Sequence, residues 1–360
     1  MRFRAYAQLI LVLFLAAQSG VSHSRRGRAE HTSAQQEAAE TGSDVRWIDT
    51  HTHPLGGPGR RESVFSAERL NQVIAIHERR GVERALLLLP PSPRAAPAAL
   101  ETQLIQAVKS RPEHFAFLGG GLQALIQEAI ESNMVSPELR GRFEAKAVEL
   151  ARAGAVGFGE MTALHFSFAE FHPYVEARPD HPLFLLLADL AAKYDVPLDL
   201  HMEAVTKDMA TPGRLLQRSS LNPPTVRENV SAFERLLARN RKARIVWAHI
   251  GWDNTGDMTV ALLRRLLEAH PNLYLQLRIP TVPGTFPQNN PLDRDGKLRP
   301  EWLDLIDSFP ERLVLGSDTF MARPDFEEGL RLTASLLQQL PPKLARKVGY
   351  ENATRLYRLR

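Results

Sequence analysis

Eight short apolar runs, separated by longer amphipathic or polar stretches, constrain the fold of this 360-residue chain more than any other feature. Each run is continuous and bounded by polar residues, which is typical of a buried parallel strand. The runs are residues 46–53, 84–90, 115–121, 154–161, 197–203, 244–251, 272–278 and 312–319. Segments between them, such as PLFLLLADLAAKY and MTVALLRRLLEAH, repeat apolar residues at helical spacing. The alternation predicts βα units that close into a (β/α)8 barrel.

The connections after the fourth, fifth and seventh predicted strands are long. They cover roughly residues 162–181, 204–225 and 279–300 and are rich in Pro, Gly, Asn and polar residues. Because each leaves the carboxyl end of its strand, these connections are predicted to wall a substrate pocket. The alternative is that they are disordered decoration of the barrel.

The first 43 residues are expected to lie outside the catalytic domain. Arg2 and Arg4 precede the apolar stretch AYAQLILVLFLAA, and small residues follow, so residues 1–22 are predicted to be an export signal peptide. An uncleaved membrane anchor is the alternative. Residues 23–43 are polar and charged, which predicts a flexible leader before the barrel of residues 44–360. The expected location is therefore periplasmic or secreted, with no membrane span after cleavage.

Composition narrows the chemistry. The chain has no cysteine, which excludes disulfides and thiolate ligands, so any metal must be held by His, Asp or Glu. Arginines of the leader contribute several charges to the net charge of +4. The long loops mix basic and acidic residues without a phosphate-tracking stripe, which makes nucleic acid an unlikely partner and favours a small-molecule substrate. Oligomeric state stays open, a homo-oligomer included.

Five polar side chains lie at or near the carboxyl ends of predicted strands: His51 and His53 of WIDTHTH, His201 of PLDLHME, His249 of RIVWAHIGW and Asp318 of RLVLGSDTF. In a parallel barrel these strand ends meet on one face. His51 and His53 are two residues apart, so both are predicted to face the interior. As core polar groups without a cation, each would cost roughly 1–3 kcal/mol if left unsatisfied. The pattern predicts a divalent metal site with room for a water, as in catalytic sites.

With these residues in place, the chain resembles the amidohydrolase superfamily over about residues 46–358, including the ending ENATRLYRL. It looks most like the amidohydrolase-related branch, with TatD-like traits. The resemblance implies a metal-dependent (β/α)8 barrel in which His51, His53, His201, His249 and Asp318 match the family's ligands. Glu160 of GAVGFGEM stands where many relatives carry a carboxylated lysine.

The resemblance also implies a mechanism. Glu160 would bridge two ions, with His51, His53 and Asp318 on one and His201 and His249 on the other; the alternative is a single ion, with Glu160 supporting a ligand or contacting substrate. A bound cation acidifies its water and polarises a substrate oxygen. Asp318 would orient that water and shuttle its proton, and His249 would bind the second ion or the developing oxyanion. Zinc is the first expectation, with manganese, iron or nickel as alternatives.

Several other residues are weaker candidates. Trp252, Asp253 and Arg278 are placed to reach a substrate, and a guanidinium could grip its carboxylate or phosphate. For Arg278 the alternative is a salt bridge to a loop carboxylate, and for Glu203 it is support of His201. Three histidines are expected on the long fourth connection, His165, His172 and His181. Two more are expected to be solvated on helices, His77 and His270.

Three functions remain. The leading one is hydrolysis of an amide, ester, lactone or phosphoester of a small molecule. The first alternative is a metal-dependent decarboxylase, which would favour one ion and an Arg or His gripping the departing carboxylate. The second alternative is a non-catalytic exported binding protein, against which the proton-shuttling position of Asp318 argues.

Overall fold

A computed structural model describes residues 45–57, 62–92, 98–280 and 286–359. The predicted signal and leader, and the predicted start of the barrel at Asp44, lie outside the described residues. Eight parallel strands follow one another around the sheet: β1 (Trp47–His53), β2 (Val82–Leu87), β3 (Phe115–Gly119), β4 (Gly157–His165), β5 (Leu198–Met202), β6 (Ile245–Ile250), β7 (Leu273–Leu277) and β8 (Leu313–Leu315). Just past β8, Thr319–Phe320 pairs in parallel with β1. This closes the barrel and confirms the predicted (β/α)8 fold.

Helices connect these strands. They are α1 (Ala67–Arg79), α2 (Ala98–Ser110), α3 (Gln123–Glu131), α4 (Pro137–Ala153), α5 (Pro182–Tyr194), α6 (Gly213–Leu216), α7 (Val230–Arg239), α8 (Val260–Ala269), α9 (Pro300–Ser308), α10 (Phe326–Leu337), α11 (Pro342–Arg346) and α12 (Asn352–Leu356). A 3-10 turn covers Pro287–Asn289 and a π-helical turn covers Lys347–Glu351. Ser66, Ser136 and Thr259 cap the helices that follow them, each accepting a backbone N–H with its hydroxyl. Within the described ranges, no helix is long and apolar enough to span a membrane.

The fourth strand differs most from its prediction of 154–161. Gly154 ends α4 in a left-handed conformation, so the strand starts later, at Gly157. Beyond Glu160 the apolar run continues to pair with β5, with Thr162 opposite His201. His165 is therefore the last residue of β4 rather than part of the following loop.

Two of the long connections carry their own structure. Val175–Glu176 pairs antiparallel with the end of β4. In the connection after β5, Met209–Ala210 and Thr225–Val226 form a two-stranded ribbon around α6. Both segments are thus ordered, which excludes the alternative of disordered decoration, and their role as walls of a substrate pocket stays a prediction. The third connection includes residues 281–285, which lie outside the described part.

The core has two layers. One lies between strands and helices, with Trp47, Phe158 and Trp247 fully buried. The other fills the barrel and contains Ile48, Leu86, Leu88, Ala116, Leu118, Val246, Val314, Ala353, Leu356 and Tyr357. Since the last three follow β8 at the C-terminal end of the chain, the closing helix α12 plugs the barrel.

Two histidines predicted to be solvated are buried. His77 is 2% exposed and lies against Phe115 and Phe326, with ring centroids 5.9 and 5.7 Å away. His270 is 7% exposed, caps the end of α8 and places Nε2 3.4 Å from Glu234 Oε1. His77 lies on the buried side of α1, and His270 follows α8 and is buried against α7, which corrects the prediction of solvated side chains.

Candidate metal centre

The six predicted metal ligands converge at the carboxyl ends of the strands. They are His51 and His53 on β1, Glu160 on β4, His201 on β5, His249 on β6 and Asp318 just after β8. Their ligand atoms form three overlapping groups, each with its three atoms within 4.8 Å of one another: His51, His249 and Asp318; His51, His53 and Glu160; and Glu160, His201 and His249. Such a cluster of imidazoles and carboxylates can hold a metal ion.

Glu160 lies at the centre and divides the histidines into two pairs. Its Oε2 is 3.4 Å from His51 Nε2 and 3.8 Å from His53 Nε2. Its Oε1 is 2.8 Å from His201 Nδ1 and 3.7 Å from His249 Nε2. Ligand atoms bound at 2.0–2.1 Å to a tetrahedral zinc lie about 3.3–3.4 Å from one another. The spacing therefore suits a cation on either side of the carboxylate.

His53 and Asp318 provide a direct test of whether these residues fit a cation. His53 Nδ1 is 3.0 Å from the carbonyl oxygen of Leu88, which can only accept, so Nδ1 carries the proton. His53 Nε2 lies 3.1 Å from Asp318 Oδ1, so a positive charge held between these two atoms stabilises the pair. A proton supplies such a charge, and a divalent cation fits the same place.

The electrostatics of the cluster favour positive charge. Burial would lower the pKa of His51, but the carboxylates of Asp199 and Glu160 raise that pKa well above its usual value. Burial would raise the pKa of Glu160, but contacts with His201 and His51 hold it well below its usual range. The six predicted ligands, called the cage below, thus keep the carboxylate of Glu160 ionised and attract a proton or a metal cation.

His249 and Asp318 both adopt left-handed backbone conformations, with φ of 64° and 50°. Such conformations are uncommon outside glycine and cluster at functional sites. The buried side chain of Gln276 supports both segments, because its Oε1 accepts from His249 N (2.7 Å) and its Nε2 donates to Gly316 O (3.0 Å). A Cβ at Gly316 would lie 2.8 Å from His51 Cβ and closer still to Gln276 Nε2, so this approach requires glycine.

Arg278 closes one side of the site. Its Nη1 lies 2.9 Å from Asp318 Oδ2, and its guanidinium carbon lies 3.3 Å from the ring centroid of Trp252. Burial would raise the pKa of Asp318, but Arg278, His53 and His51 together lower that pKa below its usual range. The predicted alternative of a salt bridge to a loop carboxylate is therefore present, and its partner is Asp318 in the segment after β8. One oxygen of Asp318 faces Arg278 and the other faces His53.

Glu203, just after β5, and Asp253, in the loop after β6, both accept hydrogen bonds from residues of the loop after β6. Glu203 accepts from Asn254 Nδ2 at 2.6 Å, and burial raises the pKa of Glu203 to about 7. Asp253 is fully buried and accepts from Gly256 N (2.8 Å) and Asn289 Nδ2 (2.6 Å). These bonds show that Asp253 holds the loop together, and its contact with substrate stays a prediction.

His165 and His172 lie closer to the centre than predicted. His165 Nδ1 is 3.1 Å from His201 Nε2, and His165 Nε2 is 3.2 Å from His172 Nε2. His172 Nδ1 in turn accepts from Phe168 N. His181, in contrast, caps α5 through a bond from Leu183 N. The signal for His165 was the apolar run that continues past Glu160.

Asp199 lies beside the predicted ligands but was not among the residues predicted from the sequence. This fully buried residue of β5 lies two positions before His201, and its Oδ1 is 3.6 Å from His51 Nδ1. Burial raises the pKa of Asp199, and His51 opposes that rise. The period of two that placed His51 beside His53 also places Asp199 on the face of His201.

The profile of the amidohydrolase family matches residues 48–359, and the chain belongs to this family. Among solved structures, it is similar to an amidohydrolase II (15% identity, 87% of this chain and 99% of that chain, TM-score 0.50). It is similar to a Staphylococcus aureus protein described as an amidohydrolase (14%, 87% and 100%, 0.51). A third is 2,6-dihydroxybenzoate decarboxylase in complex with 2,6-dihydroxybenzoate (14%, 87% and 99%, 0.50). These likenesses show the barrel fold, and no curated protein matches the sequence.

Proposed function

We propose that this protein is a metal-dependent hydrolase of small molecules. The proposal rests on the position of Glu160. One of its carboxylate oxygens faces His51 and His53, and the other faces His201 and His249. A carboxylate shared in this way is what a two-cation hydrolytic centre needs. When bound, the cations would supply an acidified water and a Lewis acid for the substrate's carbonyl or phosphoryl oxygen.

The proton transfers fall to Asp318. Arg278 occupies Oδ2, so Oδ1 is the oxygen free to accept a proton from the attacking water. That oxygen lies 3.1 Å from His53 Nε2 and 3.8 Å from His249 Nε2, inside the cage. From there Asp318 would pass the proton to the leaving group. His249 serves as a ligand, or donates to the developing oxyanion when only one cation is bound.

Arg278 and Trp252 are proposed to contact the substrate. The guanidinium is 8% exposed and stacked on the indole, which holds its plane in one orientation. Among the described residues, Nε of Arg278 has no hydrogen-bond partner. A carboxylate or phosphate of the substrate could satisfy it.

The same feature favours decarboxylation as a second candidate function. An arginine beside the cage could hold a carboxylate that leaves as carbon dioxide, with one cation instead of two. Detection of the product separates the candidates, because hydrolysis consumes water and releases an acid, whereas decarboxylation releases carbon dioxide, which is then hydrated to bicarbonate.

The test is a substrate panel of esters, lactones, amides, phosphoesters and small carboxylic acids, assayed with zinc- or manganese-loaded protein. We expect turnover of a hydrolysable class and a loss of about 10²–10⁴-fold in kcat for Asp318→Asn, since proton transfer typically contributes this much. The matched control is Asp307→Asn, an exposed position on α9, which should keep full activity. Equal turnover by Asp318→Asn contradicts the role of Asp318, and bicarbonate release would establish the decarboxylase.

A further inference from the structure

The two histidines of β1 are supported differently behind the cage. His53 directs Nδ1 at a neutral backbone carbonyl, Leu88 O, at 3.0 Å. His51 directs Nδ1 at a carboxylate, Asp199 Oδ1, at 3.6 Å. Both rings direct Nε2 toward Glu160. The ring of His51 therefore has its Nε2 in the proposed metal site and its Nδ1 beside the buried carboxylate of Asp199.

Asp199 and the inner edge of His51 have no competing partners. Nδ1 of His51 and both carboxylate oxygens of Asp199 are buried, and none has a hydrogen-bond partner in the described part of the chain. The 3.6 Å separation is an ion-pair distance, about 0.6 Å longer than a typical N–H···O bond. A buried carboxylate left unpaired is costly, and the ion pair with His51 Nδ1 offsets part of that cost.

The backbone holds Asp199 in this position. On β5, Asp199 lies opposite Val246 and His201 lies opposite Ala248, two pairs further along, so both side chains face the barrel interior. A Cβ at Gly159 would lie 2.6 Å from Asp199 Cβ, so only glycine on β4 leaves space for this carboxylate.

We propose that Asp199 is a positioning residue of the metal centre, accepting the Nδ1 proton of His51 and so fixing the ring with its Nε2 lone pair toward the cation. This inference rests on the proposed metal-dependent function. A carboxylate behind a ligating imidazole fixes the tautomer and increases the basicity of the ligand. Through Asp199, His51 becomes a stronger donor than His53, whose support is uncharged.

The experiment compares the full-length wild type with Asp199→Asn, which keeps the side-chain shape and removes the charge. Zinc affinity is measured by competition with a chromogenic chelator, and Co²⁺ is titrated by its visible absorption. We expect about a 10–100-fold loss of zinc affinity, the usual effect of removing such a partner, and a shifted cobalt spectrum. The control is Asp189→Asn on α5, a half-buried carboxylate that contacts Arg239 and Asn240, which should keep wild-type affinity.

Affinity of Asp199→Asn within about threefold of wild type would overturn the inference, as would an equal loss in Asp189→Asn. If Asp199→Asn does not fold, nitrogen NMR of histidine-labelled wild type with zinc decides: a protonated Nδ1 on His51 supports the inference, and a protonated Nε2 overturns it. A wild type that binds neither Zn²⁺ nor Co²⁺ would instead refute the proposed function.

Discussion

His77 illustrates how one buried side chain links sequence to pH-dependent stability. The ring lies between Phe115 and Phe326, and burial, assisted by the nearby His114, lowers the pKa of His77 to about 3. Its unfolded value is 6.5. Because the unfolded chain takes up the proton first, stability falls as pH falls below 6.5 toward 3.

We expect His77→Leu to reduce this acid sensitivity. Because the buried ring stays neutral, the free energy of unfolding of the wild type falls by about 1.36 kcal/mol for each pH unit below the unfolded pKa. At pH 5 this loss amounts to about 2 kcal/mol. Urea unfolding at pH 7 and pH 5 should therefore show about 2 kcal/mol less loss for the variant than for the wild type. His114 is unchanged in both proteins, and an identical loss in the two would contradict the account.

The burial of His77 and the position of Asp199 were both predictable from the sequence. His77 continues the stripe of Leu70 and Val73 on α1 at helical spacing, so its burial could have been predicted from periodicity. Asp199 could have been predicted from the period of two. The ion pair between Arg278 and Asp318 could not, because it depends on how two loops after different strands fold toward each other.

At the scale of elements, close packing of the segment between β8 and Thr319 determines the position of Asp318. Gly316 places its Cα against His51 and Gln276, and Ser317 donates to Asp49 from both N (2.8 Å) and Oγ (2.5 Å). These contacts hold the turn that presents Asp318. Because these partners lie on β1 and β7, on the two sides of β8, the turn reports on the registry of the strands that flank it.

Gly316→Ala should therefore lose about 1–3 kcal/mol of stability through overpacking and should weaken zinc binding. The matched control is Gly141→Ala on the exposed face of α4, where an added Cβ meets no atom within 4 Å. That change should stabilise the protein by about 0.5–1 kcal/mol, since alanine is the better helix former. Thermal unfolding of metal-free protein and chelator competition provide the two readouts. Equal effects at both glycines would contradict the packing argument.

Element type was predictable because buried parallel strands form continuous apolar runs, and seven of the eight bounds differ by only a few residues from the structure. The fourth strand was misplaced because Ala155 and Val156 are as apolar as strand residues, yet follow directly on the left-handed Gly154. That shift hid His165 at the end of β4.

At the scale of the whole molecule, closure of the barrel is what makes one centre from distant residues. His51 and Asp318 are 267 residues apart in sequence, and the backbone N–H of Asp318 donates to the carbonyl of His51 at 2.8 Å. On the opposite end, Asn352 Nδ2 donates to Leu313 O at 2.7 Å and ties α12 under β8. Closure therefore fixes the cage from both ends of the barrel.

The central claim is that Glu160 is shared by two cations, and metal content per chain tests it most directly. Elemental mass spectrometry on reconstituted wild type should find about two divalent ions per chain, falling toward one in Glu160→Ala. About one ion in both proteins would contradict the shared carboxylate and favour the decarboxylase. No bound ion in either would contradict the metal centre itself.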